Sequence, residues 1–114
     1  MKVKITKEVR GDIAILHLKG EMLGGPELSE RFPDEFKKII DEGIKKIVID
    51  MEKIRRMNST GLGILMRCYT SLKNSGGELK LVYLSESVKG VLLLTKLNTI
   101  FDIHRSLDDA VGAF

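Results

Sequence analysis

The sequence IVIDMEKIRRMNSTGLGILM, residues 47–66, decides the fold, and the rest of the chain can be placed around it. It begins with an apolar run, residues 47–49, which ends in Asp50 and is typical of a buried β-strand. A polar segment, residues 52–56, predicts a connector. An apolar pattern with helical spacing then follows from residue 64. The stretch therefore predicts a strand, a turn that carries small polar side chains, and a helix.

Small side chains occupy the predicted start of that helix, in residues 57–63 (MNSTGLG). The first backbone N–H groups of a helix have no partner within the helix, and the helix dipole places partial positive charge there. A side-chain oxygen of Asn58 or Ser59 can cap one of these groups, and the same helix end can accept an anion or a phosphate. Glycine at positions 61 and 63 costs about 1 kcal/mol of helix stability each, but leaves bare backbone that another surface can approach closely. On spacing alone, Ser59 is a helix cap.

Composition predicts one soluble, cytoplasmic domain over residues 1–114. Apolar residues make up 43% and charged residues 31% of the chain, a balance typical of globular proteins with a single core. The net charge of +3 is small and there is no basic stripe with interleaved aromatic residues, which disfavours direct binding to nucleic acid. Cys68 has no second cysteine to pair with, which fits a reducing compartment. The apolar runs are too short to span a bilayer and the N-terminus lacks a signal-peptide pattern, so no membrane association is expected.

The first part of the chain predicts a hairpin followed by a helix. Apolar and polar residues alternate over residues 3–19 around a glycine turn, which predicts two antiparallel strands. Residues 20–25 (GEMLGG) predict a loop. A helical pattern then runs over residues 28–43, where Pro33 either kinks the helix or moves its start towards residue 30.

The last part of the chain predicts two more strands and two more helices. These are a strand over residues 79–83, a helix capped by Ser85 that ends near Leu97, a short edge strand over residues 101–103, and a final helix capped by Ser106. The predicted order is β-β-α-β-α-β-α-β-α. Because strands that alternate with helices need crossover connections, this order predicts an α/β fold with a mainly parallel sheet.

The chain is similar to the STAS domain family, in particular to the small free-standing anti-anti-sigma factors, or anti-sigma factor antagonists, of bacteria. The residues that carry the resemblance are Gly20-Glu21-Met22, the strand at 47–50, the segment 57–63, Gly76-Gly77 and the final strand and helix. The segment around Ser59 is the most specific, since in the family it commonly reads Asp-Ser-Ser/Thr-Gly-Leu-Gly. The resemblance implies a four- or five-stranded, mainly parallel sheet with an N-terminal hairpin and about four helices mostly on one face.

The resemblance also implies a function. The protein would bind an anti-sigma factor, often itself a serine kinase, and so release a sigma factor, and phosphorylation of Ser59 would abolish that binding. It would need no cofactor and would be a monomer or a weak dimer. The contact surface, which we call the loop–helix surface, comprises Glu21, Met22, Leu23, Gly24, Gly25, Asn58, Ser59, Thr60, Gly61, Leu62 and Gly63.

Two positions depart from the family pattern. Asn58 stands where the family usually has aspartate, and Leu23 stands where an aspartate often follows Gly-Glu-Leu. Both departures remove negative charge from the loop–helix surface. Asn58 retains the ability to cap the helix.

An enzymatic function is not expected. The nucleophile-elbow pattern requires glycine two residues on either side of the serine, and Met57 occupies one of those positions around Ser59. A P-loop is absent, and neither His17 nor His104 has cysteines or carboxylates at ligand spacing, so no metal site is expected. The alternative function is that of a non-enzymatic STAS scaffold or adaptor subunit in a sensory complex or a lipid-transport system.

Four side chains near the predicted turn have more than one candidate role. Met22 and Met57 flank the loop–helix surface, where methionine can add adaptable contact area, but they can equally fill the core. Arg55 and Arg56 could contact an acidic partner or the phosphate, but they are interpreted as part of a solvated connector.

Overall fold

Five strands form one sheet, in which each strand lies beside the next strand in the sequence, in a computed structural model that describes residues 3–114. Met1 and Lys2 of the predicted domain lie outside the described residues. The elements are β1 (Lys4–Arg10), β2 (Ile13–Met22), a π-helical turn (Glu27–Arg31), α1 (Phe32–Asp41), β3 (Lys46–Met57), α2 (Ser59–Asn74), β4 (Glu78–Val82), α3 (Glu86–Leu94), a 3-10 turn (Leu97–Thr99), β5 (Asp102–His104) and α4 (Leu107–Gly112).

The predicted hairpin and the predicted parallel sheet are both confirmed. Strands β1 and β2 pair antiparallel, from Lys4 opposite Lys19 to Arg10 opposite Ile13. Gly11 makes the turn between them with φ +61°, a backbone conformation that favours glycine. All later pairs, β2 with β3, β3 with β4 and β4 with β5, are parallel.

Helices cover both faces of the sheet unequally. The main core lies between the sheet and helices α1, α2 and α3, and includes Phe32, Leu65 and Leu92. A smaller cluster on the opposite face packs α4, through Ala110, on Ile15 and its neighbours. The prediction of about four helices mostly on one face is therefore confirmed, and α4 is the exception.

The predicted loop at residues 20–25 is wrong for residues 20–22 and correct for residues 23–25, and the predicted connector at residues 52–56 is wrong throughout. Strand β2 continues to Met22 and β3 continues to Met57, and the two extensions pair with each other after shifts in register. These irregularities change the direction in which the side chains of β3 point. Met51, Ile54 and Met57 are therefore buried at every third position rather than at every second. A period-of-two pattern is consequently absent from the sequence of this extension.

Pro33 lies in the first turn of α1, where its missing N–H group leaves no helical bond unmade. A π-helical turn precedes α1, which agrees with the alternative that Pro33 moves the start of the α-helix towards residue 30. Helix α3 ends at Leu94 rather than near Leu97, because Lys96 adopts φ +62° and breaks the helical path. Tyr83, with φ +59°, lies just outside β4.

Candidate functional site

Asn58 joins the start of helix α2 to the end of strand β2. Its side-chain oxygen accepts a hydrogen bond from the Gly61 N–H at 3.0 Å, so Asn58 is the N-cap. Its side-chain amide donates to the carbonyl oxygen of Leu23 at 2.8 Å. Its backbone N–H donates to the carbonyl oxygen of Met22 at 3.1 Å. An amide can accept from the helix and donate to the loop with the same side chain, whereas an ionised aspartate can only accept. This explains how asparagine suits a position where the family usually has aspartate.

Two glycines allow the loop and the helix to lie in close contact. A Cβ atom on Gly61 would lie 2.8 Å from the carbonyl carbon of Met22 and closer still to the carbonyl oxygen, so the position excludes any side chain. Gly24 adopts φ +106°, and a Cβ atom there would lie 3.3 Å from the methyl carbon of Thr60. The predicted close approach at Gly61 therefore occurs within the chain itself. Gly63 has open space around it, and a partner can reach it.

Ser59 is the first residue of α2 and is exposed. Of the two predicted caps, Asn58 is the correct one, because it makes the capping hydrogen bond, and the interpretation of Ser59 as the helix cap is wrong. The hydroxyl of Ser59 lies instead at the positive end of the helix dipole, with the first-turn backbone of α2 beside it. No acidic side chain occupies the first turn of α2. The electrostatic environment at Ser59 therefore favours an added negative charge.

The structure brings the two predicted parts of the loop–helix surface together, but not all of its residues face outward. Leu23, Gly25, Asn58, Ser59, Thr60 and Gly63 are exposed, whereas Glu21 and Gly24 are half-buried. Met22, Gly61 and Leu62 are buried, so these three support the surface from below. Met22 and Met57 both lie in the main core. Of the two roles that the sequence left open for them, core filling is correct and adaptable surface contact is not.

An ion pair borders the loop–helix surface. The guanidinium of Arg56 on β3 donates to a carboxylate oxygen of Glu21 on β2 at 2.8 Å. Arg55 and Arg56 are exposed strand residues, not part of a connector as the sequence had indicated. Apart from this pair, the exposed side chains of the loop–helix surface are apolar or uncharged.

A second polar cluster, which the sequence did not reveal, lies on the sheet face that carries α4. The ring of His17 is 2.7 Å from Asp50 through Nδ1 and 2.9 Å from Glu8 through Nε2. Burial by itself lowers the pKa of His17, but the hydrogen bonds with Glu8 and Asp50 outweigh it and the pKa is raised. The alternation of β2 places His17 on this face, but only the pairing register brings both carboxylates next to it.

The described residues contain no long apolar helix and no ready metal site. Within residues 3–114, no helix is long and apolar enough to cross a membrane. No group of three or more His, Cys, Asp or Glu residues in the same range could hold a metal ion.

Burial raises the pKa of the Cys68 thiol to about 12, so this side chain acts as a small apolar core residue.

Almost the whole described chain matches a single family model. The model is that of the STAS domain, and it matches residues 4–110. The chain belongs to the STAS domain family. The resemblance that the sequence predicted is thereby confirmed, and it extends over all five strands.

Relatives in this family carry names that refer to sigma-factor control. A Thermotoga maritima protein, provisionally named as an anti-sigma factor antagonist, is 30% identical over 76 residues, which are 67% of each chain. The anti-sigma F factor antagonist of Paenibacillus polymyxa is 26% identical, over 99% of this chain and 93% of its own. These relatives support a general role in the same class.

Solved structures share the fold. The crystal structure of a Thermotoga maritima protein with the same provisional name has a TM-score of 0.86 and 26% identity, covering 96% of this chain and 92% of that one. The phosphorylated form of the Bacillus cell fate determinant SpoIIAA has a TM-score of 0.72 at 19% identity, covering 96% of this chain and 98% of that one. The unphosphorylated form of SpoIIAA, described as an anti-sigma factor antagonist, has a TM-score of 0.79 at 18% identity, with 96% and 95% coverage. At these lower identities the likeness concerns the fold alone.

Proposed function

We propose that this STAS domain is an anti-sigma factor antagonist that binds an anti-sigma factor of the serine-kinase type through the loop–helix surface and so releases a sigma factor. Phosphorylation of Ser59 switches the binding off. The observation that carries the proposal is the position of Ser59. It is an exposed residue at the start of α2, and its hydroxyl is not needed as the helix cap because Asn58 is the N-cap. The names of the relatives supply the class of partner.

The site can accept a phosphate without a change of fold. A phosphoserine brings about −1.5 to −2 charges, and at the start of a helix such a charge is stabilised by the helix dipole and by the first-turn backbone N–H groups. The fold is also shared by SpoIIAA, which exists in a phosphorylated and an unphosphorylated form. Phosphorylation therefore acts on the surface rather than on the core.

The same phosphate disrupts partner binding. A partner that packs on Leu23, Thr60 and Gly63 meets a surface that is apolar or uncharged at these positions. It would have to accommodate the bulk of the phosphate and desolvate its charge. Each loss of about 1.4 kcal/mol lowers affinity tenfold, so a cost of a few kcal/mol suffices to release the partner.

The proposed role is binding and not catalysis. His17 and His104 lie on the α4 face of the sheet, whereas α2 packs on the other face, so the sheet separates both imidazoles from α2. His17 is also engaged by two carboxylates. Any phosphoryl transfer to Ser59 is therefore assigned to the partner.

The test is an affinity capture from native extract with wild-type protein and Ser59→Glu, followed by identification of the captured proteins by mass spectrometry. We expect wild type to capture an anti-sigma factor with a kinase domain, and Ser59→Glu to lose it by at least about tenfold in affinity. The captured kinase, once purified, should phosphorylate wild type but not Ser59→Ala.

The matched control is Ser87→Glu, which places the same substitution in the exposed first turn of another helix, α3. This variant should bind as wild type does. Equal capture by Ser59→Glu and wild type would refute the switch. Capture of transport or sensory-complex subunits in place of an anti-sigma factor would instead assign the domain to the alternative class of STAS adaptors.

A further inference from the structure

A second open surface lies between helix α3 and strand β5, away from the loop–helix surface. Two adjoining cavities of about 290 and 670 Å³ share Leu84, Lys89 and Ile103 in their lining, and together they form one groove. We call this the α3–β5 groove. Its lining residues are Tyr83, Leu84, Lys89, Leu92, Leu93, Asn98, Ile103, His104 and Arg105. None of them belongs to the loop–helix surface.

Apolar side chains form a large part of the lining of this groove. Leu84 and Leu92 are buried and form its floor. Leu93 on α3 and Ile103 on β5 also line the groove, and these residues are 66% and 37% exposed. Exposed apolar residues that cluster beside a recess mark interaction sites more often than isolated ones do.

The charges of the groove are all of one sign. Among the described residues that line it, Lys89 and Arg105 are cationic and no carboxylate is present. Lys89 lies 3.4 Å from Glu86, but both side chains are largely exposed, and such surface pairs contribute little. An acidic partner would therefore find two cations beside an apolar floor.

We propose that the α3–β5 groove is a docking site for an acidic amphipathic helix of a protein partner, with leucine-type residues on the floor and Asp or Glu towards Lys89 and Arg105. This mode of recognition places apolar side chains at helical spacing in a hydrophobic groove. A second copy of this chain fits less well, because two such grooves would bring like charges together. A flat lipid surface fits less well because Leu84 and Leu92 are recessed.

The probe is a fluorescent synthetic peptide of about 18 residues, roughly five helical turns, with Leu at helical spacing and Glu on the flanking positions. A second peptide carries Lys in place of every Glu. Both are titrated into the full ¹⁵N-labelled chain. We expect the acidic peptide to shift amide signals of Leu93, Ile103 and Arg105, with an affinity that falls as salt screens the charges. The Lys peptide should bind at least about tenfold more weakly.

Two pairs of variants locate the interaction. Lys89→Glu should lower the affinity for the acidic peptide about tenfold. Lys38→Glu on α1 is the matched control, because Lys38 also lies three residues after a glutamate on a helix, and it should leave the affinity unchanged. Leu93→Ser should weaken binding, whereas Val9→Ser should not. Val9 is comparably exposed, but it lies on β1 at the opposite edge of the sheet.

Several results would overturn the proposal. One is an absence of amide shifts at about 1 mM peptide, a concentration that would reveal a binding free energy of roughly −4 kcal/mol. The others are equal affinities of the two peptides, and shifts that are confined to residues 58–66. Binding to vesicles of anionic phosphatidylglycerol without binding to the peptide would assign the patch to a membrane. A dimer in sedimentation that Leu93→Ser dissociates would assign it to self-association. All of these outcomes leave the Ser59 proposal untouched.

Discussion

Single residues at the start of α2 decide whether the loop–helix surface exists. Asn58 holds the helix and the loop with one amide, and Gly61 leaves room for the carbonyl of Met22. Neither residue needs to contact a partner to matter, because both set the position of the exposed Ser59 and Leu23. Asparagine at position 58 makes this junction without adding charge.

The two glycines of α2 should respond oppositely to alanine. Gly61→Ala places a methyl group against the backbone of Met22, which cannot rotate away, and should lower the free energy of unfolding by about 1–3 kcal/mol. Gly63→Ala meets nothing within 4 Å and should raise the free energy of unfolding by about 0.5–1 kcal/mol, because alanine restricts the unfolded chain and favours the helix. Urea unfolding of both variants measures the difference. Similar changes for the two would show that the close contact at Gly61 does not constrain the fold.

At the scale of elements, the short helix α4 is held on its face of the sheet by a small apolar cluster and by a buried charge. The ammonium group of Lys80 on β4 is buried and hydrogen-bonds the carboxylate of Asp102 on β5. It also lies 4.7 Å from the centre of the Phe114 ring, just beyond the end of α4. The hydrogen bond from Lys80 is the main reason why the pKa of Asp102 lies below its usual range.

Asp102→Asn should therefore destabilise the protein. The substitution leaves the buried ammonium of Lys80 without its counter-charge, at an expected cost of about 1–3 kcal/mol in the free energy of unfolding. Lys80→Met removes the charge together with its need for a partner and should cost less.

Thermal unfolding compares these variants with Asp108→Asn, the same substitution at a fully exposed carboxylate 3.9 Å from Arg10. This control should change the free energy of unfolding by less than about 0.5 kcal/mol. If Lys80→Met proved as costly as Asp102→Asn or more so, the unpaired charge would not be the cause.

At the scale of the whole molecule, His17 links three strands through Glu8 on β1 and Asp50 on β3. Because its pKa is raised in the folded state, the charged imidazolium stabilises the fold. The contribution is fully present below the unfolded pKa of about 6.5, and it is lost as the pH rises through the higher, folded pKa. Stability should therefore fall as the pH increases across this window.

His17→Gln should remove that pH dependence. We expect the free energy of unfolding of wild type to decrease between about pH 6 and pH 8, and that of the variant to be flatter, since the unperturbed histidine titrates near pH 6.5. Denaturant titrations at several pH values measure both slopes. Limiting the range to pH 8 avoids the titration of the Cys68 thiol in the unfolded chain. Parallel slopes for the two proteins would assign the pH dependence to another group.

Local patterns in the sequence determined the order of the elements, the hairpin, the mainly parallel sheet and the position of Ser59 at the start of a helix. These features depend on apolar periodicity, on glycine turns and on caps such as Ser85 and Ser106, all of which act within a few residues. They were correct because the same local preferences hold in the folded chain. The STAS resemblance likewise depended on short motifs.

Only the tertiary structure decided what depends on pairing between distant segments. The extensions of β2 and β3 exist because each supplies hydrogen bonds to the other, although residues 52–56 alone resemble a connector. The hydrogen bonds of Asn58 with Leu23, of His17 with Asp50 and of Lys80 with Asp102 all join residues more than twenty positions apart. A sequence read locally does not contain the register of a sheet, and the register brings these partners together.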